Sequence, residues 1–277
     1  MKISSLAKLA SLLTQAGQAV MEIYDSQNYT WDKKGDGSPL TEADSQSHTI
    51  LQEGLDSFEW DGEILPVLSE EGADIPYEVR RHWQRYWLVD PLDGTKEFIS
   101  RNGDFTVNVA LIEAGEAVLG LVYLPVDDVL YFGMLGWGAY RLDHASHYYG
   151  DSVFANAHRI HTCTLPVDVI NLVTSRSHRS PRTKTYIESI SARHSQVNVL
   201  SRGSSIKLCL VAEGSAHAYP RFTPTMEWDI AAAHAICRSA GARVSHWETG
   251  EEMLYNNEDL RNSGFIASCH PSLEQIL

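Results

Sequence analysis

The stretch that decides the fold of this chain reads Trp87-Leu-Val-Asp-Pro-Leu-Asp-Gly-Thr-Lys-Glu-Phe98. Its apolar start predicts a buried strand that ends at Asp90, because Pro91 cannot donate a hydrogen bond to a sheet ladder. Gly94 accepts backbone conformations that other residues avoid, so we expect a tight turn and then the start of a helix. Asp90 and Asp93 flank this turn, and their carboxylates can therefore converge on one point.

The same turn predicts a seat for an anion. Gly94 and Thr95 offer backbone N–H groups at a helix start, where the helix dipole favours negative charge. An anion beside two carboxylates makes sense only if a cation lies between them. Asp-X-X-Asp-Gly alone is a weak sign of a metal site, since Asp and Gly are common turn residues. The other carboxylates of the chain decide the question.

Composition limits the classes of function. The 277 residues suffice for one large or two modest domains. A hydrophobic content of 43% and a charged content of 21% are ordinary for a soluble globular protein. The net charge of −14 argues against general binding of nucleic-acid polymers or anionic membranes. A small phosphorylated substrate held through a metal ion remains compatible with this charge.

Cysteine spacing and hydropathy predict an intracellular protein without a transmembrane segment. Four widely spaced cysteines without a Cys-X-X-Cys pair favour reduced thiols and disfavour a zinc cluster. The longest apolar stretch, 117–126, is far shorter than the roughly 20 residues of a membrane span. Lys8 and Gln15 interrupt the N-terminal apolar run, which predicts an amphipathic helix rather than a signal peptide.

Periodicity predicts helices followed by an antiparallel meander in the first half of the chain. The helices are expected at about 4–24 and, after the capping residue Thr41, up to about 55, with an irregular loop at 31–44 between them. The expected strands lie at 64–68, 87–90, 106–112, 118–124 and 129–132.

The second half alternates between strands and helices, which indicates a sheet with crossover helices. The polar segment 144–161 is expected to join the two halves. The expected strands are 170–174, 197–200 and 216–219, with weaker ones near 244 and at 265–267, and the expected helices are 183–193, 205–212 and 227–240.

Four carboxylates stand at the ends of separate elements: Glu70, Asp90, Asp93 and Asp229. They could meet in one cleft. The potential ligands are all oxygens, which favours a hard cation such as Mg²⁺ over zinc. Asp44 lies in the first turn of a predicted helix, and by itself it is better interpreted as a capping residue.

These motifs resemble those of the lithium-sensitive, Mg²⁺-dependent phosphatases that include inositol monophosphatase and fructose-1,6-bisphosphatase. The resemblance rests on Asp90-Pro-Leu-Asp-Gly-Thr95, Glu70-Glu71 and Glu227-Trp-Asp229, which match in order and spacing over nearly the whole chain. Within that superfamily, Gly94-Thr-Lys-Glu-Phe98 and Ser175-Arg-Ser-His178 are similar to the bacterial 3'(2'),5'-bisphosphate nucleotidases. Further matches to that group lie at 101–108, 203–209 and 219–221.

The resemblance implies a fold that mixes the α+β and α/β classes, a two-domain, five-layer αβαβα sandwich. Residues 1–154 would form an N-terminal domain with an antiparallel sheet and most metal ligands. Residues 155–277 would form a C-terminal domain that contributes Asp229 and substrate contacts. The resemblance implies a cytoplasmic location and leaves open whether the protein associates peripherally with the inner membrane. It also leaves open whether the protein is a monomer or a homodimer.

The resemblance also implies two or three bound Mg²⁺ ions. One would be held by Glu70, Asp90 and the backbone carbonyl of Leu92, and a second by Asp90, Asp93 and Asp229. Two such ions can stabilise both the attacking and the leaving oxygen of an in-line displacement.

Thr95, hydrogen-bonded to Asp44, would orient and deprotonate the attacking water together with Glu70, which favours a relay role for Asp44 over capping alone. The implied catalytic residues are therefore Asp44, Glu70 and Thr95. The expected substrate contacts are Glu70, Leu92, Asp93, Gly94, Thr95, Ser177, His178, Gly203, Ser204, Lys207, Arg221 and Asp229. Basic residues between 176 and 184 suit a second phosphate, and their alternative interpretation is a solvated loop.

The implied reaction removes the 3'-phosphate of adenosine 3',5'-bisphosphate to give AMP and phosphate, as part of sulfur assimilation. The sulfated analogue, 3'-phosphoadenosine 5'-phosphosulfate, is a second candidate substrate, and Li⁺ would inhibit the reaction. One alternative is an inositol or other sugar monophosphatase with the same chemistry, against which Lys96-Glu97 and Ser175–His178 argue. The other is a non-catalytic protein that binds phosphorylated nucleotides.

Overall fold

A computed structural model of the chain describes residues 2–26, 31–33, 39–176 and 180–274. The expected substrate contacts Ser177 and His178 lie outside these residues. The described helices are α1 (Lys2–Ser26), α2 (Glu42–Asp56), α3 (Tyr77–Arg80), α4 (Thr95–Ile99), α5 (Ser152–Asn156), α6 (Pro181–Ser191), α7 (Ile206–Ala212) and α8 (Glu227–Ala240). Short 3₁₀ turns lie at Ala145–His147 and Pro271–Leu273.

Two large sheets are built from most of the strands. The strands are β1 (Trp31–Lys33), β2 (Pro39–Thr41), β3 (Glu59–Trp60), β4 (Glu63–Ile64), β5 (Val67–Ser69), β6 (Arg85–Asp93), β7 (Thr106–Glu113), β8 (Glu116–Leu124), β9 (Val129–Met134), β10 (Gly138–Asp143), β11 (His158–Ile160), β12 (Val169–Ser175), β13 (Gln196–Arg202), β14 (Ala218–Arg221), β15 (Thr225–Met226), β16 (Arg243–His246), β17 (Arg261–Asn262) and β18 (Phe265–Ser268). The seven-stranded sheet has the order β11-β10-β9-β8-β7-β6-β5, and the five-stranded sheet has the order β13-β12-β14-β18-β16.

The first sheet is the expected antiparallel meander, except that β5 runs parallel to β6. The second sheet is mixed, because β12 is parallel to both β13 and β14 whereas β18 is antiparallel to β14 and β16. The parallel pair β12–β13 is joined by α6, which is the crossover that the alternating pattern predicts.

The elements stack in five layers. Helices α1 and α2 cover the outer face of the first sheet, where Trp87 and Val89 join their apolar side chains. Tyr86 and Leu88 point to the opposite face and pack with α7, α8 and the second sheet, as the twofold periodicity of a strand requires. Helix α6 covers the outer face of the second sheet through Tyr186. The expected αβαβα sandwich is confirmed.

A row of small residues lets α8 lie against the first sheet. Ala110, Gly120, Gly133 and Ala139 are opposite one another across β7, β8, β9 and β10. A Cβ atom at Gly120 would lie 1.9 Å from the carbonyl oxygen of Ala232 in α8. Because such an approach leaves no space for any side chain, glycine at this position fixes how deeply α8 sits.

Strand β6 does not end at Asp90, and that expectation is wrong. It continues to Asp93, and its pairing with β7 shifts register between Asp90 and Asp93. The irregularity contains Pro91, so the missing N–H falls where the ladder is already interrupted. Gly94 follows with a left-handed backbone (φ +98°), and the helix expected after it begins at Thr95.

Several other boundaries differ from the predictions. The loop expected at 31–44 contains the paired strands β1 and β2, and the expected strand 64–68 is divided between β4 and β5. Strand β10 was missed, because the glycines beside it suggested a loose segment. Gly136 and Gly138 have positive φ: Gly136 lies in the turn of the β9–β10 hairpin, and Gly138 is the first residue of β10.

The polar segment 144–161, which was expected to join the two halves of the chain, contains regular elements. It holds α5 and β11, and β11 pairs with β10 at the edge of the first sheet. The division of the chain near residue 154 into two domains stays a prediction. In the described parts of the chain, no helix combines the length and apolar character that crossing a membrane requires.

Candidate active site

The ends of several elements meet around a cleft of about 240 Å³ between the two sheets. The end of β6 and the starts of α4, α7 and α8 contribute to its walls. Its lining includes predicted metal and substrate residues, namely Glu70, Asp90, Leu92, Asp93, Gly94, Thr95, Gly203, Ser204, Lys207, Arg221 and Asp229. Apart from Ser177 and His178, every predicted metal or substrate residue therefore lines one cleft.

Three carboxylates from distant parts of the chain converge there. One oxygen each of Glu70, Asp90 and Asp229 lies within 4.8 Å of the others. Glu70 follows β5, Asp90 lies in β6 and Asp229 lies in the first turn of α8. Asp93 lines the same cleft but is not part of this compact group, and its Oδ2 accepts a hydrogen bond from the Ser205 N–H at 2.6 Å.

Burial and mutual repulsion shift the titration of this cluster. Burial, followed by the charges of Glu70, Asp93 and Asp229, raises the pKa of Asp90 well above its ordinary range. Burial and the neighbouring carboxylates Asp93 and Glu70 likewise raise the pKa of Asp229. Carboxylates crowded in this way favour protonation or a bound cation. In the described part of the chain, Asp90 Oδ2 is also a buried oxygen without a hydrogen-bond partner.

Lys207 is a buried cation in the same cleft. Burial raises the pKa of Asp93 to about 6, although the Lys207 ammonium opposes the rise. Burial lowers the pKa of Lys207 to about 8, although Asp93 favours its charged form. The ammonium donates to the carbonyl oxygen of Ser204 and lies 5.2 Å from the ring centroid of Tyr219. Lys207 can therefore offer positive charge to a ligand that reaches the Asp93 side of the cleft.

Asp44 makes the contacts that both of its interpretations, capping and relay, require. Its Oδ2 accepts hydrogen bonds from the N–H and the hydroxyl of Thr41 at 2.7 and 2.6 Å, which caps α2. Its Oδ1 accepts the hydroxyl of Thr95 at 3.0 Å. Burial raises the pKa of Asp44, and the bonds from Thr41 and Thr95 oppose this rise. The carboxylate thus holds the Thr95 hydroxyl in place beside the carboxylate cluster.

The turn between β6 and α4 requires glycine. Gly94 has φ +98°, and a Cβ atom there would lie 3.0 Å from the carbonyl oxygen of Asp104. Any other residue would strain the backbone and push against Asp104. The turn places Gly94 and Thr95 in the wall of the cleft, as the expected anion seat requires.

Sequence reasoning missed the residues that hold Asp93. Besides its N–H bond to Asp93, Ser205 donates its hydroxyl to Asn108 Oδ1 at 2.9 Å, and this hydroxyl lies 2.8 Å from Thr106 Oγ1. Asn108 pairs with Asp90 across β7 and β6. A signal was present, because Thr106 and Asn108 fall in the matching segment 101–108 and Ser205 in the matching segment 203–209.

The start of α8 is held by a second set of contacts that the sequence did not reveal. Glu227 is fully buried, and its carboxylate accepts the N–H groups of Asn256 and Asn257 at 2.8 and 3.0 Å. Arg80 donates to the side chain of Asn256 and to the carbonyl oxygen of Asn257. These bonds fix the first turn of α8, which carries Asp229. Glu227 therefore supports the site from behind.

Arg221 lines the cleft but is partly engaged elsewhere. Its Nε donates to the carbonyl oxygen of Thr223 at 3.1 Å and its Nη2 to that of Pro224 at 3.2 Å. The guanidinium therefore stabilises its own loop while facing the cleft. Taken with Lys207, it gives the otherwise acidic cleft a cationic wall.

The cleft combines clustered carboxylate oxygens with backbone N–H groups, a hydroxyl, the buried ammonium of Lys207 and the half-buried guanidinium of Arg221. Crowded oxygen ligands suit a hard divalent cation. N–H donors and cationic side chains suit a phosphate group. The arrangement can therefore hold a cation and a phosphate ester side by side.

Comparison with known proteins agrees with this chemistry. The sequence model of the inositol monophosphatase family matches residues 3–277. The 3'(2'),5'-bisphosphate nucleotidase CysQ of Salmonella typhimurium is 44% identical over 264 residues, which cover 94% of this chain and 98% of that protein. The protein of the same name from Escherichia coli (strain K12) is 43% identical over 270 residues, which cover 96% and 100%. The crystal structure of CysQ from Bacteroides thetaiotaomicron has a TM-score of 0.83 at 42% identity and covers 96% of this chain and 97% of that chain.

Proposed function

This chain belongs to the inositol monophosphatase family, and from that premise we propose that it removes the 3'-phosphate of adenosine 3',5'-bisphosphate to give AMP and phosphate. The chain is a phosphatase by its family and its close relatives. The observation that carries the proposal is the convergence of Glu70, Asp90 and Asp229 within 4.8 Å in one cleft. The substrate follows from relatives named bisphosphate nucleotidases at 43–44% identity over nearly their whole length.

The residues of the cleft fit Mg²⁺. Asp90 has a buried oxygen without a partner among the described residues, and burial together with mutual repulsion raises the pKa of Asp90 and of Asp229. A bound cation would give the unpartnered oxygen a ligand contact and would reduce the repulsion between the carboxylates. An all-oxygen donor set favours Mg²⁺. We assign Glu70, Asp90 and the Leu92 carbonyl to one ion, and Asp90, Asp93 and Asp229 to another, with two or three ions in total.

Bound Mg²⁺ supplies positive charge that stabilises the negative charge developing on the phosphate oxygens. The chain itself supplies orientation. Gly94 and Thr95 line the cleft, and we assign their N–H groups to the phosphate that is cleaved. Lys207 would contact the substrate on the Asp93 side of the cleft, where its ammonium lies beside Ser204.

Thr95, Asp44 and Glu70 would handle the proton of the attacking water. The Thr95 hydroxyl donates to Asp44, so its lone pairs remain able to accept a hydrogen bond from water. Because burial raises the pKa of Asp44, this carboxylate holds a proton more readily than an exposed one. The three residues therefore suit a relay that removes a proton from water.

The finer parts of the proposal follow the resemblance. We place 3'-phosphoadenosine 5'-phosphosulfate as a second substrate, the reaction in sulfur assimilation, and the protein in the cytoplasm. Inhibition by Li⁺ is expected because the cation site would be of the same type as in the related phosphatases.

Phosphate release tests the proposal. Adenosine 3',5'-bisphosphate and inositol 1-phosphate are compared with Mg²⁺, with and without Li⁺, for the unchanged chain and for Asp93→Asn. We expect Mg²⁺-dependent release from the nucleotide that Li⁺ blocks and that Asp93→Asn abolishes. Asp61→Asn is the matched control, because Asp61 is exposed, lies outside the cleft and has a left-handed backbone that Asn tolerates.

Each other outcome has a defined meaning. Preference for inositol 1-phosphate would keep the phosphatase chemistry and reject the nucleotide as substrate. Nucleotide binding without release in the presence of Mg²⁺ would favour a non-catalytic role. Loss of activity in Asp61→Asn as well would show that the effect of Asp93→Asn is not specific to the cleft.

A further inference from the structure

Two arginines share one buried carboxylate at the edge of the cleft. Asp104 is 4% exposed, and its Oδ2 accepts the N–H of Gly203 at 2.8 Å. A nitrogen of Arg176 lies 2.9 Å from Oδ2, and Nε of Arg202 lies 2.9 Å from Oδ1. The carboxylate of Asp104 therefore holds both guanidinium groups in place.

This arginine pair adjoins the residues that line the cleft. Ser175 and Gly203, which are the sequence neighbours of the two arginines, line the cleft. Strands β12 and β13 are parallel and end together, and the N–H of Arg176 donates to the carbonyl oxygen of Arg202 at 3.2 Å. The carboxyl ends of parallel strands are where open sheets bind ligands.

Asp104 connects the pair to the phosphate turn. Its carbonyl oxygen would lie 3.0 Å from a Cβ atom at Gly94, and its side chain packs just as closely against Gly203. Both glycines line the cleft. The arginine pair is therefore held against the same framework as the turn that would seat the cleaved phosphate.

The pair keeps positive charge and donors for a ligand. Two guanidinium groups on one carboxylate leave one net positive charge. A guanidinium has five N–H donors, and the contact with Asp104 uses one nitrogen of each. The side chains of Arg176 and Arg202 are 42% and 30% exposed. Asp127 lies 4.0 Å from Arg202 but is 52% exposed, and such a pair contributes little in water.

We infer that Arg176 and Arg202, held in place by Asp104, bind the 5'-phosphate of the substrate, which the reaction leaves intact. The inference rests on the proposed function, because only a substrate with two phosphates needs a second anion seat. Guanidinium forks match phosphate geometry, and side chains that are already held in place lose little freedom on binding. The seat would thereby select bisphosphates over monophosphates.

The test compares two nucleotides that differ only in the retained phosphate. Phosphate release from adenosine 3',5'-bisphosphate and from adenosine 3'-monophosphate is measured with Mg²⁺ for the unchanged chain, Arg176→Gln and Arg202→Gln. For the bisphosphate, we expect kcat/KM to fall about tenfold to hundredfold through KM, the loss typical of one hydrogen bond to a charged group. For the monophosphate, we expect kcat/KM to stay within about twofold.

Two further variants keep the inference falsifiable. Arg182→Gln is the matched control. The sequence left Arg182 among the basic residues that suit a second phosphate, but in the structure it is exposed, is not among the residues that line the cleft and stacks on Trp247, 4.2 Å from the ring centroid. It should leave both substrates unchanged. Arg176→Lys keeps the charge but loses the planar fork, so the preference for the bisphosphate should fall only in part. Thermal unfolding of each variant checks that the fold is retained.

The failures are distinguishable. If the unchanged chain does not release phosphate from the bisphosphate, the proposed function is wrong and the inference falls with it. If the unchanged chain does release it, the inference alone is overturned by either of two results. One is that the arginine variants lower kcat/KM equally for the two nucleotides, and the other is that they lower it for neither. An equal effect of Arg182→Gln would overturn it too, because a general charge effect would then explain the loss.

Discussion

Replacing Gly120 by alanine should reduce activity, although Gly120 lies outside the cleft. Gly120 is in β8 and faces α8, and Asp229 lies in the same helix one turn before Ala232. An alanine Cβ at position 120 would lie 1.9 Å from the Ala232 carbonyl oxygen, 2.7 Å from its carbonyl carbon and 2.9 Å from its Cα. All three are backbone atoms, so no change of side-chain rotamer can relieve the overlap.

The size of the effect follows from this geometry. Ordinary contact begins at 3.4 Å, so α8 must move by about 1.5 Å, or β8 must give way. Overpacking of this kind costs about 1–3 kcal/mol of unfolding free energy, and sometimes more. A misplacement of about 1 Å in a catalytic group can cost about a hundredfold in rate. We therefore expect Gly120→Ala to lose about 3 kcal/mol of stability and about a hundredfold in kcat.

Urea unfolding gives the stability, and phosphate release gives kcat and the Mg²⁺ concentration for half-maximal activity. This concentration should rise, because Asp229 moves with α8. The matched control is Gly54→Ala in α2, where the new Cβ would meet only side-chain atoms of Leu12, the nearest at 2.4 Å. Leu12 can rotate, and it packs with the apolar residues on the outer face of the first sheet, whereas α8 packs on the other face, so kcat should stay unchanged. If Gly120→Ala unfolds more easily but keeps kcat and its Mg²⁺ requirement, the link between β8 and Asp229 is refuted.

Three further changes test other contacts. Thr95→Val should lower kcat about a hundredfold or more, because it removes the hydroxyl of the relay, whereas Thr95→Ser should keep most activity in the same phosphate-release assay. Ser205→Ala should cost about 1–3 kcal/mol in urea unfolding, because Asn108 would lose a buried hydrogen bond; an unchanged midpoint would contradict this. Burial lowers the pKa of His234 in the folded chain. As pH falls, the unfolded chain therefore protonates this imidazole before the folded chain does. The contribution of His234 to the free energy of unfolding should therefore fall as pH drops below about 6.5, whereas the buried carboxylates of the cleft, whose pKa values are raised, act in the opposite direction. Urea titrations of the unchanged chain and of His234→Gln between pH 7 and 5 isolate the part that is due to His234, because the unchanged chain should lose stability relative to the variant.

The sequence by itself determined the fold class, the candidate ligands and the limits of α8. Glu70, Asp90 and Asp229 could be selected because each stands where an apolar run ends or a helix begins. Such patterns report local conformation, which depends on residues that are near in sequence. The match of α8 to its predicted range, 227–240, has the same origin. The roles of these residues in binding and catalysis stay predictions.

Tertiary structure alone decided how these residues are held. Ser205 contacts Asp93, Asn108 and Thr106 over about a hundred positions of sequence, and Asp104 contacts Gly203 over a similar span. A sequence pattern does not state which distant strand lies opposite, because that choice depends on packing summed over the whole core.

The glycines show the same division. At Gly94, the neighbouring Asp and Thr already indicated a turn. At Gly136 the sequence suggested only a loose segment, and it placed Gly120 inside a strand without a special role. In the structure, Gly136 lies in a hairpin turn and Gly120 lies where α8 packs against β8. Glycine can be required because its backbone is free to adopt unusual conformations, and a sequence can reveal this role. Glycine can also be required because another element packs closely against it, and this role is visible only in the folded structure.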